Sequence, residues 1–352
     1  MKRYGNIYDK IFTIENLELA HKNARKGKTY YREVKMVDTN PRHYLGKIQE
    51  MFQNETYKVS DYKITTIIDK GKERTLYKLP YYPDRIIQWA IMLQVEHIFM
   101  KTFTSFSCAS IKNRGIHKAS KLVDKFMRDK EGTQYCLKMD VKKFYENISH
   151  EKLKSMLRKK IKDKRLLSLL DKIIESTGGG KGIPIGSYLS QFFANFYLTY
   201  FDHWLKEVKG CKYVVRYMDD IVILHNSKQW LHELKHSIDE YLDSELSLEI
   251  KGNWQVFPTK VRGIDFVGYR HFYKYKLLRK STCNKYKKKM LSIKKKMDSS
   301  QKLTHSDWCS CNSYLGWVRW CNSFRLQSKY YSSIKDYVYN YYKYNIKKGE
   351  KK

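Results

Sequence analysis

Acidic residues are scarce in this chain of 352 residues, where 36 Asp and Glu stand against 70 Lys and Arg and the formal net charge is +34. So large a positive charge opposes a compact fold unless a polyanion offsets it, and nucleic acid is the favoured partner. A lysine-rich genome accounts for only part of the excess. Hydrophobic residues at 42% and aromatic residues at 15% exclude a disordered polycation. The length allows two or three ordinary domains.

Several other features are missing or rare. Proline occurs only five times, and no low-complexity linker or internal repeat is visible. The seven cysteines are odd in number and scattered, which argues against a disulfide scaffold. The most apolar run, residues 86–100, is interrupted by four polar residues and is too short to cross a bilayer. No apolar secretory signal is visible at the start. We therefore expect a soluble protein of the cytoplasm with no membrane partner.

The hydrophobic pattern predicts an α+β protein. Helices are expected over much of 1–60 and over 79–100, 150–176, 187–205 and 228–245, and strands at 135–141, 213–217, 221–224 and within 246–270. A glycine-rich loop at 178–182 separates two of these helices, and a basic helical region with many aromatic residues follows residue 274. The order from 135 to 251 is, apart from one extra helix, the β-α-β-β-α-β plan of a ferredoxin-like sheet.

Three carboxylates lie where this plan brings strands together. Asp140 ends the first predicted strand, and Asp219 and Asp220 lie in the turn of the central hairpin, which neighbours that strand. Clustered carboxylates repel one another unless a cation lies between them, and hard oxygen ligands suit Mg²⁺ or Mn²⁺. Acidic residues are common in turns, but two charges between strongly apolar strands are costly without a function. We interpret the cluster as a two-metal site for phosphoryl transfer.

Four segments in the expected order resemble reverse transcriptases. Residues 217–220, Tyr-Met-Asp-Asp, resemble the YxDD box of that family, and residues 137–145 resemble its motif A. Residues 182–191 resemble motif B, and residues 262–269 resemble the motif E hairpin at the primer grip. The resemblance covers roughly residues 79 to 325.

The resemblance implies a right-hand polymerase with a ferredoxin-like palm, fingers and a helical thumb. An N-terminal helical region and the fingers are expected in residues 1–130. The palm is expected in 131–270, with part of the fingers between 150 and 182, and a basic helical thumb in 271–352. The 82 residues after Arg270 leave room for a thumb alone, so no RNase H, integrase or endonuclease domain is expected.

The resemblance also implies roles for residues of motif A and the YxDD box. Asp140 and Asp219, with the main-chain carbonyl of Val141, match the ligands of two Mg²⁺ ions, for which Mn²⁺ is an alternative. Asp220 matches the second Asp of the box, and the resemblance implies that it is a catalytic and metal-binding residue together with Asp140 and Asp219. Tyr145 falls where the family keeps an aromatic steric gate that clashes with a ribose 2′-hydroxyl and so favours deoxynucleotides.

Contacts with the nucleotide are expected in two segments. Lys112 and Arg114 resemble the fingers segment that grips the incoming triphosphate, although solvated surface residues are an alternative reading. Gly186, Ser190 and Gln191 belong to motif B, beside the templating base pair. The backbone of the template–primer duplex is expected to contact the basic stretch of the thumb formed by Lys285, Lys287, Lys288 and Lys289.

Two departures from the family pattern indicate a subgroup. Motif B reads Ile-Gly and Ser-Gln at 185–186 and 190–191, a form that resembles the enzymes of diversity-generating retroelements, which are encoded by bacteria and phages. The segment 251–258 takes the place of motif D and resembles the same subgroup. Trp254 aligns nearest the usual lysine of that motif, and Lys251 is the alternative candidate for its role.

That subgroup implies a set of partners. The enzyme would use dNTPs to copy a template-repeat RNA onto a primer, with frequent errors at adenines, and the cDNA would replace a variable gene region (mutagenic retrohoming). An accessory variability protein, a small basic helical oligomer, is the expected protein partner.

Three alternatives stay open at this stage. A retron or phage-defence reverse transcriptase would share every motif above. A catalytically dead RNA-binding scaffold is disfavoured because all three aspartates are present. An RNA-dependent RNA polymerase is disfavoured by Tyr145 and by Met218 in the acidic turn.

Overall fold

A computed structural model describes residues 2–69 and 72–343. Its first part is helical, as the sequence predicts, and a β-hairpin that the sequence did not predict follows it. The elements are α1 (Tyr8–Ile11), α2 (Ile14–Ala24), α3 (Arg32–Thr39), α4 (Pro41–Gln53), β1 (Lys63–Asp69) and β2 (Lys72–Lys78). Thr13 begins α2 by accepting a hydrogen bond from the Asn16 amide, and Asn40 begins α4 in the same way, with Pro41 in the first turn.

Two helices connect this part to the central sheet. They are α5 (Ile86–Met100) and α6 (Ile116–Phe126). Helix α5 is apolar on nearly every side because it packs against α2 and against a later helix of the sheet region. No helix in the described ranges has both the length and the hydropathy that crossing a membrane requires.

The central sheet has four antiparallel strands in the order β4-β5-β3-β6. The strands are β3 (Tyr135–Asp140), β4 (Tyr213–Tyr217), β5 (Asp220–His225) and β6 (Gln255–Pro258). The helices between them are α7 (Phe144–Asn147), α8 (His150–Lys160), α9 (Lys164–Glu175), α10 (Tyr188–Tyr197), α11 (Thr199–His203) and α12 (Lys228–Leu246). This strand order is that of the predicted β-α-β-β-α-β plan.

Three boundaries differ from the prediction. The sequence predicts one helix over 150–176, but the structure contains two. The backbone is extended at Asp163, whose side chain begins α9 by accepting a hydrogen bond from the Leu166 amide. The helix predicted over 187–205 is divided near Leu198, where the backbone leaves helical geometry. The strand expected by residue 251 begins at Gln255, after a turn at 252–253.

The last part is a small sheet followed by helices. Its elements are α13 (Thr259–Arg262), β7 (Ile264–Phe266), β8 (Tyr269–His271), β9 (Lys276–Leu278), α14 (Lys280–Asp298), α15 (His305–Val318), α16 (Phe324–Tyr330) and α17 (Lys335–Tyr341). Tyr286, Met290 and Ile293 of α14 form a separate apolar core with residues of the later helices. The C-terminal helices therefore pack around a core distinct from that of the central sheet.

Candidate active site

The acidic residues meet at one end of the central sheet. Asp140, the last residue of β3, pairs with Asp220, the first residue of β5. Tyr217 pairs with the same Asp220 in the β4–β5 hairpin, so only Met218 and Asp219 form its turn. The Val141 amide donates to the Asp219 carbonyl at 3.2 Å, which joins the turn to the end of β3. The predicted convergence of Asp140 with the hairpin turn is therefore present in the fold.

Lys251 places its ammonium between the two foremost carboxylates. Its Nζ lies 2.7 Å from Asp140 Oδ1 and 3.8 Å from Asp219 Oδ2, and its amide donates to the Asp140 carbonyl at 2.8 Å. Trp254, the other candidate for the motif D position, instead lies with its ring 4.4 Å from Lys235 Nζ. Lys251 is thus the residue of this segment that brings a positive charge to the carboxylates.

The remaining carboxylate, Asp220, faces a different set of charges. Its Oδ1 lies 3.7 Å from Lys138 Nζ and is buried without a hydrogen-bond partner. Burial raises the pKa of Asp220 to about 7, against the opposing charge of Lys138. Burial, followed by the charge of Asp140, raises the pKa of Asp219 to about 6. Both groups would be stabilised as carboxylates by an added cation.

The donor set fits a divalent cation of the magnesium type. In residues 2–69 and 72–343 no group of three or more His, Cys, Asp or Glu side chains is arranged to hold a metal ion. Two carboxylates, from Asp140 and Asp219, nevertheless approach one cation position, which the Lys251 ammonium marks. Mg²⁺ in enzymes that handle phosphate esters is bound by one or two carboxylates and completed by substrate phosphates and water. The oxygen ligands present therefore fit the expected ion.

The fully buried side chain of Arg216 anchors the acidic turn through hydrogen bonds. Arg216 donates to both carboxylate oxygens of Asp202 at 2.7 and 2.6 Å, and neither side chain is exposed. The same guanidinium donates to the Met218 carbonyl in the turn at 3.0 Å, to Asn195 Oδ1 and to Ser107 Oγ. Met218 has a φ of 59°, an unusual conformation for a residue other than glycine. The network therefore fixes a strained turn to α10, α11 and the segment before α6.

This pair was missed in the sequence, although a signal was present. Arg216 is the only charged residue in the strand Tyr-Val-Val-Arg-Tyr, and Asp202 follows an aromatic stretch in α11. A charge in an otherwise apolar element predicts a buried partner of opposite charge, but not which residue that partner is.

Tyr145 lies close to the acidic turn. It belongs to the short helix α7, its ring is half-buried, and its carbonyl accepts from the Ile183 amide at 2.9 Å. Burial, followed by the charge of Asp219, raises the pKa of the Tyr145 hydroxyl. The Tyr145 hydroxyl therefore lies within the electrostatic influence of the Asp219 carboxylate.

The motif B residues begin α10. Gly186 is exposed and has a φ of 108°, which a residue with a side chain rarely adopts. Ser187 caps the helix by accepting from the Ser190 amide and donates to Gln88 Oε1 at 2.8 Å. Ser190 is buried and Gln191 is half-buried, so Gly186 is the most accessible of the three predicted nucleotide contacts.

The other residues predicted to contact nucleotide or nucleic acid differ in whether they already have an intramolecular partner. Lys112 is exposed, whereas Arg114 donates to the Thr104 and Ser107 carbonyls at 2.5 and 2.8 Å and so fixes its own loop. In α14, Lys285 and Lys288 are exposed, and Lys287 lies 5.8 Å from the ring centre of Tyr330. Lys289 is 2.7 Å from Asp307, which also binds Lys296. Arg114 and Lys289 therefore already have intramolecular partners.

Comparison with known proteins identifies the family. Residues 58–271 match the family model described as reverse transcriptase (RNA-dependent DNA polymerase). The chain is 24% identical to protein YkfC of Escherichia coli over 57% of this chain and 63% of that protein. It is 26% identical to the group II intron-encoded protein LtrA of Lactococcus lactis over 47% of this chain and 28% of that protein. The chain thus spans less than two thirds of the length of either curated relative.

Telomerase is a structural neighbour. Telomerase of Candida albicans, in complex with the TWJ fragment of telomeric RNA, aligns over 68% of this chain and 52% of that chain, with 12% identity and a TM-score of 0.47. Because the family model covers more than half of the chain and includes the acidic turn, the chain belongs to the reverse transcriptase family.

Proposed function

We propose that this chain is an RNA-directed DNA polymerase. The observation that carries the proposal is the meeting of Asp140 and Asp219 at one cation position, inside a segment that matches the reverse transcriptase model. The net charge of +34 supports a polyanionic substrate. The proposed substrates are dNTPs, a template RNA and a DNA primer.

The proposed reaction is nucleotidyl transfer. The primer 3′-hydroxyl loses its proton to water and attacks the α-phosphorus of a dNTP, so that a new P–O bond forms and the bond to pyrophosphate breaks. Asp140 and Asp219, with the Val141 carbonyl, would hold two Mg²⁺ ions, or Mn²⁺ in their place. Bound divalent ions activate the attacking hydroxyl and stabilise the negative charge of the leaving phosphate.

Three further residues of this chain have roles in the proposed reaction. Lys251, 2.7 Å from Asp140, is the proposed donor of a proton to the leaving pyrophosphate. Arg216 keeps the turn that carries Asp219 in place through the Met218 carbonyl. Tyr145 is the proposed steric gate that excludes the 2′-hydroxyl of a ribonucleotide.

The parts of a right-hand polymerase are assigned accordingly. The proposed palm is 131–270, with part of the fingers between 150 and 182. Residues 1–130 are the proposed N-terminal helical region and fingers, and residues 271–352 are the proposed thumb. Exposed Lys285 and Lys288 are the lysines best placed to reach the duplex backbone, since Lys289 is held by Asp307. Lys112, Gly186 and Gln191 are the proposed nucleotide contacts.

We infer further that the enzyme serves a diversity-generating retroelement. The Ile-Gly and Ser-Gln forms of motif B support this, and so does the segment 251–258 that replaces motif D. The template would be a template-repeat RNA copied with errors at adenines, with an accessory variability protein as partner, in the bacterial cytoplasm. A retron or phage-defence enzyme is the second candidate, because it would have the same acidic turn and sheet.

Sequencing of the cDNA made on a defined RNA template distinguishes the two candidates. The purified chain extends a DNA primer with dNTPs and Mg²⁺, alone and with the accessory protein. Errors concentrated at template adenines support the retroelement function. Errors spread evenly over the four bases contradict it and favour the second candidate, and the absence of cDNA in every mixture contradicts the polymerase proposal itself.

A further inference from the structure

A surface far from the acidic turn combines aromatic rings with free cations. Two open grooves of about 670 Å³ and 440 Å³ adjoin there, because both are lined by the turn 272–275 between β8 and β9. We call them together the 272–275 surface. Tyr135 and Pro258 line the larger groove, and Trp320 lines the smaller one.

The register of the central sheet places this surface away from the reaction. Tyr135 is the first residue of β3 and pairs with Pro258, whereas Asp140 is the last residue of the same strand. Five residues of extended chain at about 3.3 Å each separate the two by about 17 Å. The 272–275 surface therefore lies at the opposite end of strand β3 from the carboxylates.

Its charge favours an anionic ligand. Arg128, Lys130, Lys260 and Lys274 line the grooves, and in the described part of the chain none of them forms an ion pair. Two acidic residues line the grooves. One of them, Asp124, already has partners, because its carboxylate oxygens lie 2.6 Å from His271 Nδ1 and 2.7 Å from Lys276 Nζ. Four cations without partners thus oppose the single carboxylate of Glu131.

Its aromatic side chains are exposed but well supported. Tyr275 is 46% exposed and stacks on Phe272, with ring centres 4.7 Å apart. Trp320 is 37% exposed and stacks on His117, with Lys121 Nζ 4.9 Å from its ring centre. Rigid rings beside free cations are the combination on which proteins bind single-stranded nucleic acid, since bases stack on the rings and phosphates meet the cations.

We propose that the 272–275 surface binds single-stranded RNA outside the catalytic centre. The charge excludes a basic protein partner, and the grooves are open enough to receive unpaired bases. The role goes beyond polymerisation: the surface would hold a part of the RNA that is not being copied. Binding there requires neither dNTPs nor a divalent ion.

The experiment measures RNA binding while the catalytic cleft is filled. Protein saturated with an unlabelled RNA–DNA hybrid is titrated with a fluorescent single-stranded RNA of about 16 nucleotides, within the range of known single-strand site sizes. The variants are Tyr275→Ala and the triple variant Lys130→Glu, Lys260→Glu, Lys274→Glu. The matched control reverses three exposed lysines elsewhere, Lys22→Glu, Lys47→Glu and Lys206→Glu.

We expect Tyr275→Ala to weaken RNA binding at least about fivefold, the effect of losing one stacked base. The triple variant should lower the slope of log affinity against log salt by about 2, since each lost phosphate contact on a single strand contributes about 0.7. Photocrosslinking with 4-thiouridine RNA should map to residues 272–275. Primer extension on a short template should stay at the wild-type rate.

Two results would overturn the proposal. One is wild-type affinity in both surface variants, and the other is an equal loss of affinity in the triple control, which would mean that overall charge alone binds RNA. Neither result depends on catalysis, because a failure of primer extension by the wild type would count only against the polymerase function.

Discussion

Replacing Arg216 by Met, alone and together with Asp202, should separate what the buried arginine network contributes to stability from what it contributes to activity. The substitution keeps most of the side-chain volume but leaves the Asp202 carboxylate fully buried with no cation, since Arg216 is its only ion-pair partner among the described residues. Removing one partner of a buried pair costs about 3–5 kcal/mol of the free energy of unfolding. The double variant Arg216→Met, Asp202→Leu removes both charges, so it should recover most of that loss.

The activity of the double variant tests the role of Arg216 at the turn. The hydrogen bond from Arg216 to the Met218 carbonyl is lost in both variants, and Met218 then has less to hold it at its φ of 59°. We expect kcat to fall by about 10²-fold, the effect of a displacement of about 1 Å in a reacting group. The KM for dNTP should change little, because the turn carries a proposed metal ligand, Asp219, rather than proposed contacts to the base.

Urea unfolding and single-nucleotide incorporation measure the two effects. The matched control is Arg158→Met, whose ion pair with Asp171 is at the surface and should cost at most about 1 kcal/mol. A double variant that is stable and has wild-type kcat would refute the positioning role. A single Arg216→Met variant as stable as the wild type would refute the energetic reasoning.

Three further predictions concern the residues around the turn. Because burial raises the pKa of Asp220 to about 7, its ionisation costs stability once the pH rises above its ordinary pKa of 3.8, and the cost is complete above pH 7. Asp220→Asn should therefore raise the free energy of unfolding of the metal-free protein at pH 8 by about 2 kcal/mol. This is about half of the free energy that corresponds to the full pKa shift, because solvent screens a partly exposed carboxylate. The gain should be smaller at pH 5, and an equal gain at both pH values would contradict this reasoning. Lys251→Met should lower kcat about 10²-fold or more, and Lys251→Arg should restore charge but not proton donation; full activity of Lys251→Met would exclude the general-acid role. Tyr145→Ala should reduce the preference for dNTP over NTP at least about tenfold in kcat/KM, and an unchanged ratio would exclude the steric gate.

The sequence predicted the elements whose pattern is local. Strands β3, β4 and β5 are apolar runs that adjoin Asp140 or the acidic turn, so their positions, to within one residue at each end, and the placement of Asp140 beside the turn follow from the sequence. The β1–β2 hairpin was missed because several of its apolar residues, such as Ile64 and Ile68, are exposed and give no burial pattern. The break between α8 and α9 depends on the cap formed by Asp163, a local contact that periodicity does not reveal.

Several features of the site depend on tertiary contacts, which a sequence pattern does not reveal. The position of Lys251 between Asp140 and Asp219 depends on how the segment after α12 returns to β3, through the Lys251 amide and the Asp140 carbonyl. The partner of Arg216 lies 14 residues away across a change of direction in the chain. The intramolecular partners of Arg114 and Lys289 were equally invisible, because a surface lysine or arginine has the same sequence signature whether it is free or paired.

The most direct measurement of the central claim is the extension of a labelled DNA primer on an RNA template by three proteins. These are the wild type, Asp219→Asn and a matched control, Asp243→Asn, which changes an exposed carboxylate of α12. If Asp140 and Asp219 together carry the reaction, the wild type and Asp243→Asn extend the primer with dNTPs and Mg²⁺, and Asp219→Asn does not. Extension by Asp219→Asn at the wild-type rate would contradict the account.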